Sequence, residues 1–211
     1  MNLVISNEDV LREVFNISVG QSASILSEII DKKILLNVPD VKILHLKDSK
    51  SDINAYLNSV VEGTIMVSSI SFQEDVAGKA SLIFPADKMR NFINLCMHEN
   101  HGHEYGDLNF TDVDFDIIKE VGNIILNSII GELGNYLYIK FSYSLPEVQV
   151  FNNINIEEIL GKEEYTYILM LYITFDIEDS KIEGAIAINL TLNSLEEIMT
   201  KINTMVDDVN G

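Results

Sequence analysis

Four residues recur in this chain at one fixed spacing, so two stretches of it must fold alike. The first copy holds Asp9, Glu13, Asn16 and Pro39; the second holds Asp116, Glu120, Asn123 and Pro146. Each member of the second set lies 107 residues beyond its counterpart. At roughly 5% usage per residue type, a four-position match arises by chance about once in 10^5 starting points. Two matches in common register therefore mark an internal repeat.

The spacing predicts a helix in each copy. A helix turns about 100° per residue, so Asp9, Glu13 and Asn16 share a stripe roughly 60° wide. Leu11, Val14, Ile25, Leu26 and Ile29 fall on the opposite side as candidate core. Gly20, Ala23, Ser24 and Ser27 continue the polar stripe with small residues that let another protein come close. In the second copy Ile118, Val121, Ile125, Ile129 and Leu133 form the core side. Asp116, Glu120, Asn123, Asn127, Gly131 and Gly134 lie near the polar side. Polar residues on such a stripe are ordinarily just solvated, and Asp9 suits a helix start. The asparagines need more: Asn is a mediocre helix former, and each mid-helix glycine costs about 1 kcal/mol against alanine. Their placement against local propensity points to a surface that something outside the helix requires.

Other classes of function fall away on composition. A net charge of -19 argues against holding nucleic-acid phosphates, which takes basic patches. No run reaches the roughly 18 apolar residues of a membrane span. The opening MNLVISNED lacks the basic-then-apolar order of a signal peptide, so a cytoplasmic location is expected. Cys96 is the single cysteine, which rules out an internal disulfide and suits a small core residue on a helix. A chain of 211 residues with 47% hydrophobic content can bury a substantial core as one domain or two fused halves.

Read in order, the first half predicts a helix over 9–31 and a strand from Ile34 that Pro39 bends or places at an edge. A connector with a short helix follows, then a hairpin of GTIMVSSISF and AGKASLIFP around QEDVAG. Asp87 is the expected N-cap of the next helix. After the linker HENHGHEYGD the order repeats: a helix over about 112–133, a strand region interrupted by Pro146, and a helical turn in NINIEEIL. A hairpin around EDSKIE and a last helix capped by Ser194 complete it. Asp87 and Ser194 are again 107 apart, whereas Gly78 and Gly184 are 106 apart, a one-residue length difference. The expected fold is α+β. Two pseudo-twofold halves, each a long helix, strand, short helix, β-hairpin and helix, share a mainly antiparallel sheet. They form one domain over 1–211, with repeats of about 1–105 and 106–211.

The conventional catalytic constellations are missing. His98, His101 and His103 with Glu99 and Glu104 match no standard ligand spacing and read as an exposed linker, so no metal site is expected. His45 stands alone on a strand. Ser18, Ser22, Ser24 and Ser27 have no neighbouring histidine and read as helix-face spacers. No phosphate-cradling glycine loop, GxSxG elbow or HExxH pair occurs. What remains is the pair of Glu–Asn stripes.

The pattern Asp-x3-Glu-x2-Asn-x22-Pro, complete twice and spanning nearly the whole chain, resembles the CheC-type chemotaxis phosphatases. Related CheX-type proteins carry one such motif, and FliY-type proteins add a flagellar-switch domain for which this chain has no room. The resemblance implies hydrolysis of the aspartyl phosphate on a CheY-type response regulator. It implies that Glu13, Asn16, Glu120 and Asn123 are catalytic. Asn would orient the attacking water, and Glu would pair with the receiver's lysine. No cofactor of its own is implied, magnesium being carried by the receiver, and a CheD deamidase is a further implied partner. Asp9, Asp116, Pro39 and Pro146 would support the motif. The alternative is a non-catalytic adaptor for CheD or a phosphorylated receiver.

The chemistry suits the residues. Phosphoryl transfer is largely positioning and charge stabilisation. A neutral amide can donate to and accept from one water without adding negative charge. Glu three residues before Asn shares its helical face, so one rigid element delivers both. One departure matters: many family members have Gly just before the Asn, which the second copy keeps as Gly122 and the first replaces with Phe15. The second site is therefore the better candidate.

Overall fold

A computed structural model describes residues 6–46, 48–61, 63–97, 108–152, 166–177 and 180–210; Val60, Ser180 and 205–210 are described by backbone alone. The His-rich linker and the NINIEEIL connector lie outside the described residues. Among the described residues five helices run α1 (Asn7–Ile30), α2 (Lys50–Val60), α3 (Ala86–Cys96), α4 (Asp112–Leu137) and α5 (Leu192–Asn210). Among the same residues seven strands run β1 (Ile34–His45), β2 (Ile65–Glu74), β3 (Gly78–Pro85), β4 (Phe141–Tyr143), β5 (Glu147–Phe151), β6 (Tyr167–Ile177) and β7 (Ser180–Leu190).

All the strands join one antiparallel sheet in the order β1-β6-β7-β3-β2, with β4 and β5 both pairing β2 at the far edge. The fold is α+β as expected, and its halves interleave. The first strand of each half pairs with the hairpin of the other half: β1 with β6, β4 and β5 with β2. The central ladder joins β3 to β7, and Ser81 faces Ala187, its counterpart 106 positions on. The main core lies between one sheet face and helices α1, α3, α4 and α5. On the other face Ile53, Leu57 and Val61, from α2 and the residue after it, cover Ile65, Val67, Ile83, Ile168 and Met170.

The two long helices end alike and begin differently. Their C-caps, Asp31 (φ 54°) and Tyr138 (φ 56°), are left-handed and sit 107 positions apart. At the start of α1, Ser6 and Asp9 form a capping box: the Asp9 N–H donates to Ser6 Oγ at 3.2 Å and the Ser6 N–H to Asp9 Oδ2 at 3.1 Å. In α4 the box is Thr111 with Asp114, two positions earlier relative to the motif. Asp9 therefore caps as expected. Asp116 does not; it is exposed and pairs with Lys119 at 3.1 Å.

Several expectations need correction. Ile25 and Ile29 are exposed; Phe15, Val19 and Ile30 take the core side with Leu11, Val14 and Leu26. Ala23 is buried, and so are Ser18 and Ser22, because α1 packs against α4 there, with Ser22 Oγ 3.5 Å from the Ile124 carbonyl. Asp87 is not an N-cap: the chain turns into α3 at Pro85, whose fixed φ of -60° already suits a helix entry. Ser194 is not one either. The Ser194 N–H donates to Thr191 Oγ1 at 3.2 Å, while its own hydroxyl bonds Ala77 of the β2–β3 turn, donating to the carbonyl at 2.9 Å. The β6–β7 hairpin is tighter than EDSKIE suggested. Lys181, Ile182 and Glu183 continue β7, paired with Asp176, Phe175 and Thr174 of β6.

Candidate functional site

Glu13 and Glu120 are both exposed, and neither forms an ion pair among the described residues. Each precedes its half-buried asparagine by three residues on one helix, so both copies present the expected Glu–Asn neighbours. The asparagines themselves differ, and the cause is the strand that carries each proline.

In the first copy, Pro39 cannot donate a ladder hydrogen bond. Strand β1 accordingly bulges: Asn37 pairs with Thr174 and Asp40 with Tyr172, so Val38 and Pro39 together oppose one residue. Val38 is fully buried, and its N–H and carbonyl are left without partners in β6. Asn16 supplies them. The Val38 N–H donates to Asn16 Oδ1 at 2.8 Å, and Asn16 Nδ2 donates to the Val38 carbonyl at 2.9 Å. Asn16 Nδ2 also donates to the Arg12 carbonyl at 2.9 Å. A carboxamide has two N–H donors and two lone pairs. Both donors and one lone pair of Asn16 are therefore committed to the fold. The spacing Asn-x22-Pro is, in this copy, a side chain plugging a proline-made bulge.

In the second copy the strand breaks rather than bulges. Strands β4 and β5 are separated by Ser144, Leu145 and Pro146, and Ser144 ties the gap to β2: its N–H donates to the Ser71 carbonyl at 2.9 Å and its Oγ accepts from the Ser71 N–H at 2.9 Å. Leu145, the counterpart of Val38, stands 86% exposed, and Ser144 Oγ lies 3.1 Å from its carbonyl. Asn123 is thus released from the strand. Its Oδ1 accepts from Asn127 Nδ2 at 2.7 Å, and its Nδ2 donates to none of the described residues. It keeps two donors and one lone pair.

The residue before each asparagine also differs. Phe15 is fully buried in the core. Gly122 lets α4 close onto β2: a Cβ there would lie 2.6 Å from Ser68 Cβ and nearer still to its hydroxyl. Gly122→Ala should therefore push α4 off the sheet and cost about 1–3 kcal/mol, with Ser68→Gly in the same chain restoring most of it. Chemical denaturation of the single and double variants checks this; equal stability of Gly122→Ala and wild type would refute the contact. Gly134, read above as part of the polar side, is buried, since a Cβ would lie 2.7 Å from the Ile139 carbonyl. The outside requirement that this glycine answers is the chain's own Ile139 carbonyl and the Phe141 ring of β4, 2.9 Å from the added Cβ.

The start of α4 carries a feature that the sequence did not suggest. Arg90 of α3 and Asp114 are both buried, and Arg90 Nη1 donates to Asp114 Oδ2 at 3.0 Å. Burial pushes the Asp114 carboxyl up, but the Thr111 N–H and the guanidinium outweigh it and hold the carboxyl below the usual range. Cys96 is half-buried, and burial pushes its thiol up to about 12, which leaves it protonated and unsuited to nucleophilic work. No group of three or more potential ligands able to hold a metal occurs among the described residues, and no helix among them is long and apolar enough to cross a membrane.

The CheC-like family model matches residues 7–43, a span that contains the whole first motif from Asp9 to Pro39. Over that span the chain is similar to the CheC-like family. It is 27% identical over 144 residues to the CheY-P phosphatase CheC of Bacillus subtilis (strain 168), a match that covers 67% of this chain and 65% of that relative's length. By fold it is similar to FliY of Thermotoga maritima, with a TM-score of 0.73 at 20% identity over 97% of this chain and 99% of that one. The FliM middle domain of H. pylori gives a TM-score of 0.65 at 12% identity, covering 93% and 99%. CheX of Desulfovibrio desulfuricans gives 0.53 at 12% identity, covering 85% and 99%. Both motifs are thus in place, with one asparagine clamped to its strand and the other released from it.

Proposed function

We propose that this protein hydrolyses the aspartyl phosphate of a CheY-type receiver, with Glu120 and Asn123 as the working pair. The observation that carries the reading is the carboxamide of Asn123, whose N–H donors meet none of the described residues, beside exposed Glu120 on α4. The likeness to the CheY-P phosphatase CheC supplies the substrate class. Glu120 would pair with the receiver's lysine and fix α4 over the phosphoryl group. Asn123 would hold a water in line with the scissile bond. The water oxygen attacks phosphorus, the bond from phosphorus to the aspartate oxygen breaks, the receiver's carboxylate is regenerated, and inorganic phosphate leaves with the water's protons. Magnesium belongs to the receiver. Holding the water removes the entropic part of the barrier, and no covalent intermediate on this chain is needed.

Glu13 and Asn16 form the second candidate site. The clamp on Asn16 favours docking without turnover there, which is the adaptor reading confined to one copy. A CheD-type deamidase is a further proposed partner, by family likeness alone. The interleaved strands support one domain over 1–211, built of repeats of about 1–105 and 106–211. The test is the decay of an acetyl-phosphate-charged CheY-type receiver with and without the protein. Faster decay is expected. Capture that depends on phosphorylation, with decay unchanged, would replace the enzyme reading by the adaptor.

A further inference from the structure

We infer that Asn127 is a positioning residue that aims the carboxamide of Asn123. The inference rests on the phosphatase reading and names a part of that site which the motif does not contain. Asn127 lies one turn beyond Asn123 and donates to its Oδ1 at 2.7 Å. That bond leaves both Asn123 N–H groups and one lone pair without a partner among the described residues, enough to donate to and accept from a single water. It also fixes the amide plane, which a free side chain would sample by rotation.

Two observations say that this contact is not there for the fold. The Asn127 Oδ1 is buried and accepts no hydrogen bond. A half-buried mid-helix asparagine with an orphaned carbonyl is a poorer stabiliser than alanine. The counterpart in the first copy, 107 residues earlier, is Gly20, where an added Cβ would meet nothing within 4 Å. Space for a side chain exists there and is not used, because Asn16 is already held by Val38. The position is filled only where the asparagine is free.

Positioning acts on turnover rather than docking. In receiver dephosphorylation assays, Asn127→Ala should lower kcat about tenfold at an unchanged KM, with the thermal midpoint equal to or above wild type. Because Asn127 acts through Asn123, its removal should add nothing in an Asn123→Ala background. In NMR spectra the Asn123 side-chain amide pair, identified by its loss in Asn123→Ala, should shift in Asn127→Ala. An unchanged kcat in Asn127→Ala with an active wild type overturns the inference and leaves the phosphatase reading standing. A lowered thermal midpoint with an equal loss in both backgrounds makes the residue structural and overturns it too. A wild-type protein that does not speed decay removes the phosphatase reading, and this inference with it.

Discussion

Asn16→Ala will unfold the protein more readily, and on the proposed phosphatase reading Asn123→Ala will act on rate instead. The first substitution removes three hydrogen bonds and strands the N–H and carbonyl of buried Val38. An unsatisfied buried backbone group costs about 1–3 kcal/mol, so a loss of about 2–4 kcal/mol is expected. For a chain of this size that lowers Tm by about 5–15 °C. Asn123→Ala removes a contact on a half-buried helix face and should change stability by under about 1 kcal/mol. If Asn123 places the attacking water as proposed, its loss should cost about 100-fold in accelerated dephosphorylation. Thermal melts and receiver decay assays on the two single variants separate these effects. Equal losses of rate with both melts unmoved would mean that the two copies are equivalent, contrary to their hydrogen bonding.

The second large effect concerns the start of α4. Removing one partner of a buried ion pair leaves the other charge uncompensated and costs about 3–5 kcal/mol. Arg90→Met should show that loss, since Asp114 stays buried while the guanidinium that meets it at 3.0 Å is gone. The same guanidinium donates to the Asn109 carbonyl at 2.8 Å and lies 4.4 Å over the Phe110 ring, so the residues leading into α4 loosen as well. The pH dependence has a definite sign. In the wild type the folded-state pKa of Asp114 lies below its unfolded value. Its contribution is therefore complete above about pH 4 and lost as pH falls through the folded pKa. Without Arg90, burial is less opposed, the folded pKa rises, and acid unfolding should begin at higher pH. Denaturation of both proteins across an acid series measures this; a change under about 1 kcal/mol with the acid edge unmoved would show that the pair is not coupled to folding.

Local pattern carried far in this chain. The period of the apolar residues placed both long helices within a few residues of their ends. Pro39 and Pro146 marked the two strands that cannot pair continuously, and those strands lie at the two edges of the sheet. Fixed spacing put Glu120 beside Asn123 whatever the rest of the fold did, because three residues on a helix share a face. Where prediction slipped, a distant partner had intervened. Ile25 and Ile29 looked like core by angle, but the approach of α4 to the Ser18–Ser22 side turned α1 and left them outside. Ser194 looked like a cap, but its hydroxyl is taken by Ala77 from the other half of the chain.

The motif itself shows the division most sharply. The sequence by itself determined that there are two copies, that each lies on an exposed helix face, and that each links an asparagine to a proline 23 residues on. It could not determine which asparagine is free, since the same four letters occur in both. That was decided by strand pairing across the two halves. Pro39 sits in a strand that stays continuous and bulges, leaving Val38 to be satisfied by Asn16; Pro146 sits in a strand that breaks, where Ser144 satisfies the gap and Asn123 is released. A buried backbone group must find a partner wherever the folded chain offers one, and no local reading of residues can say which side chain that partner will be.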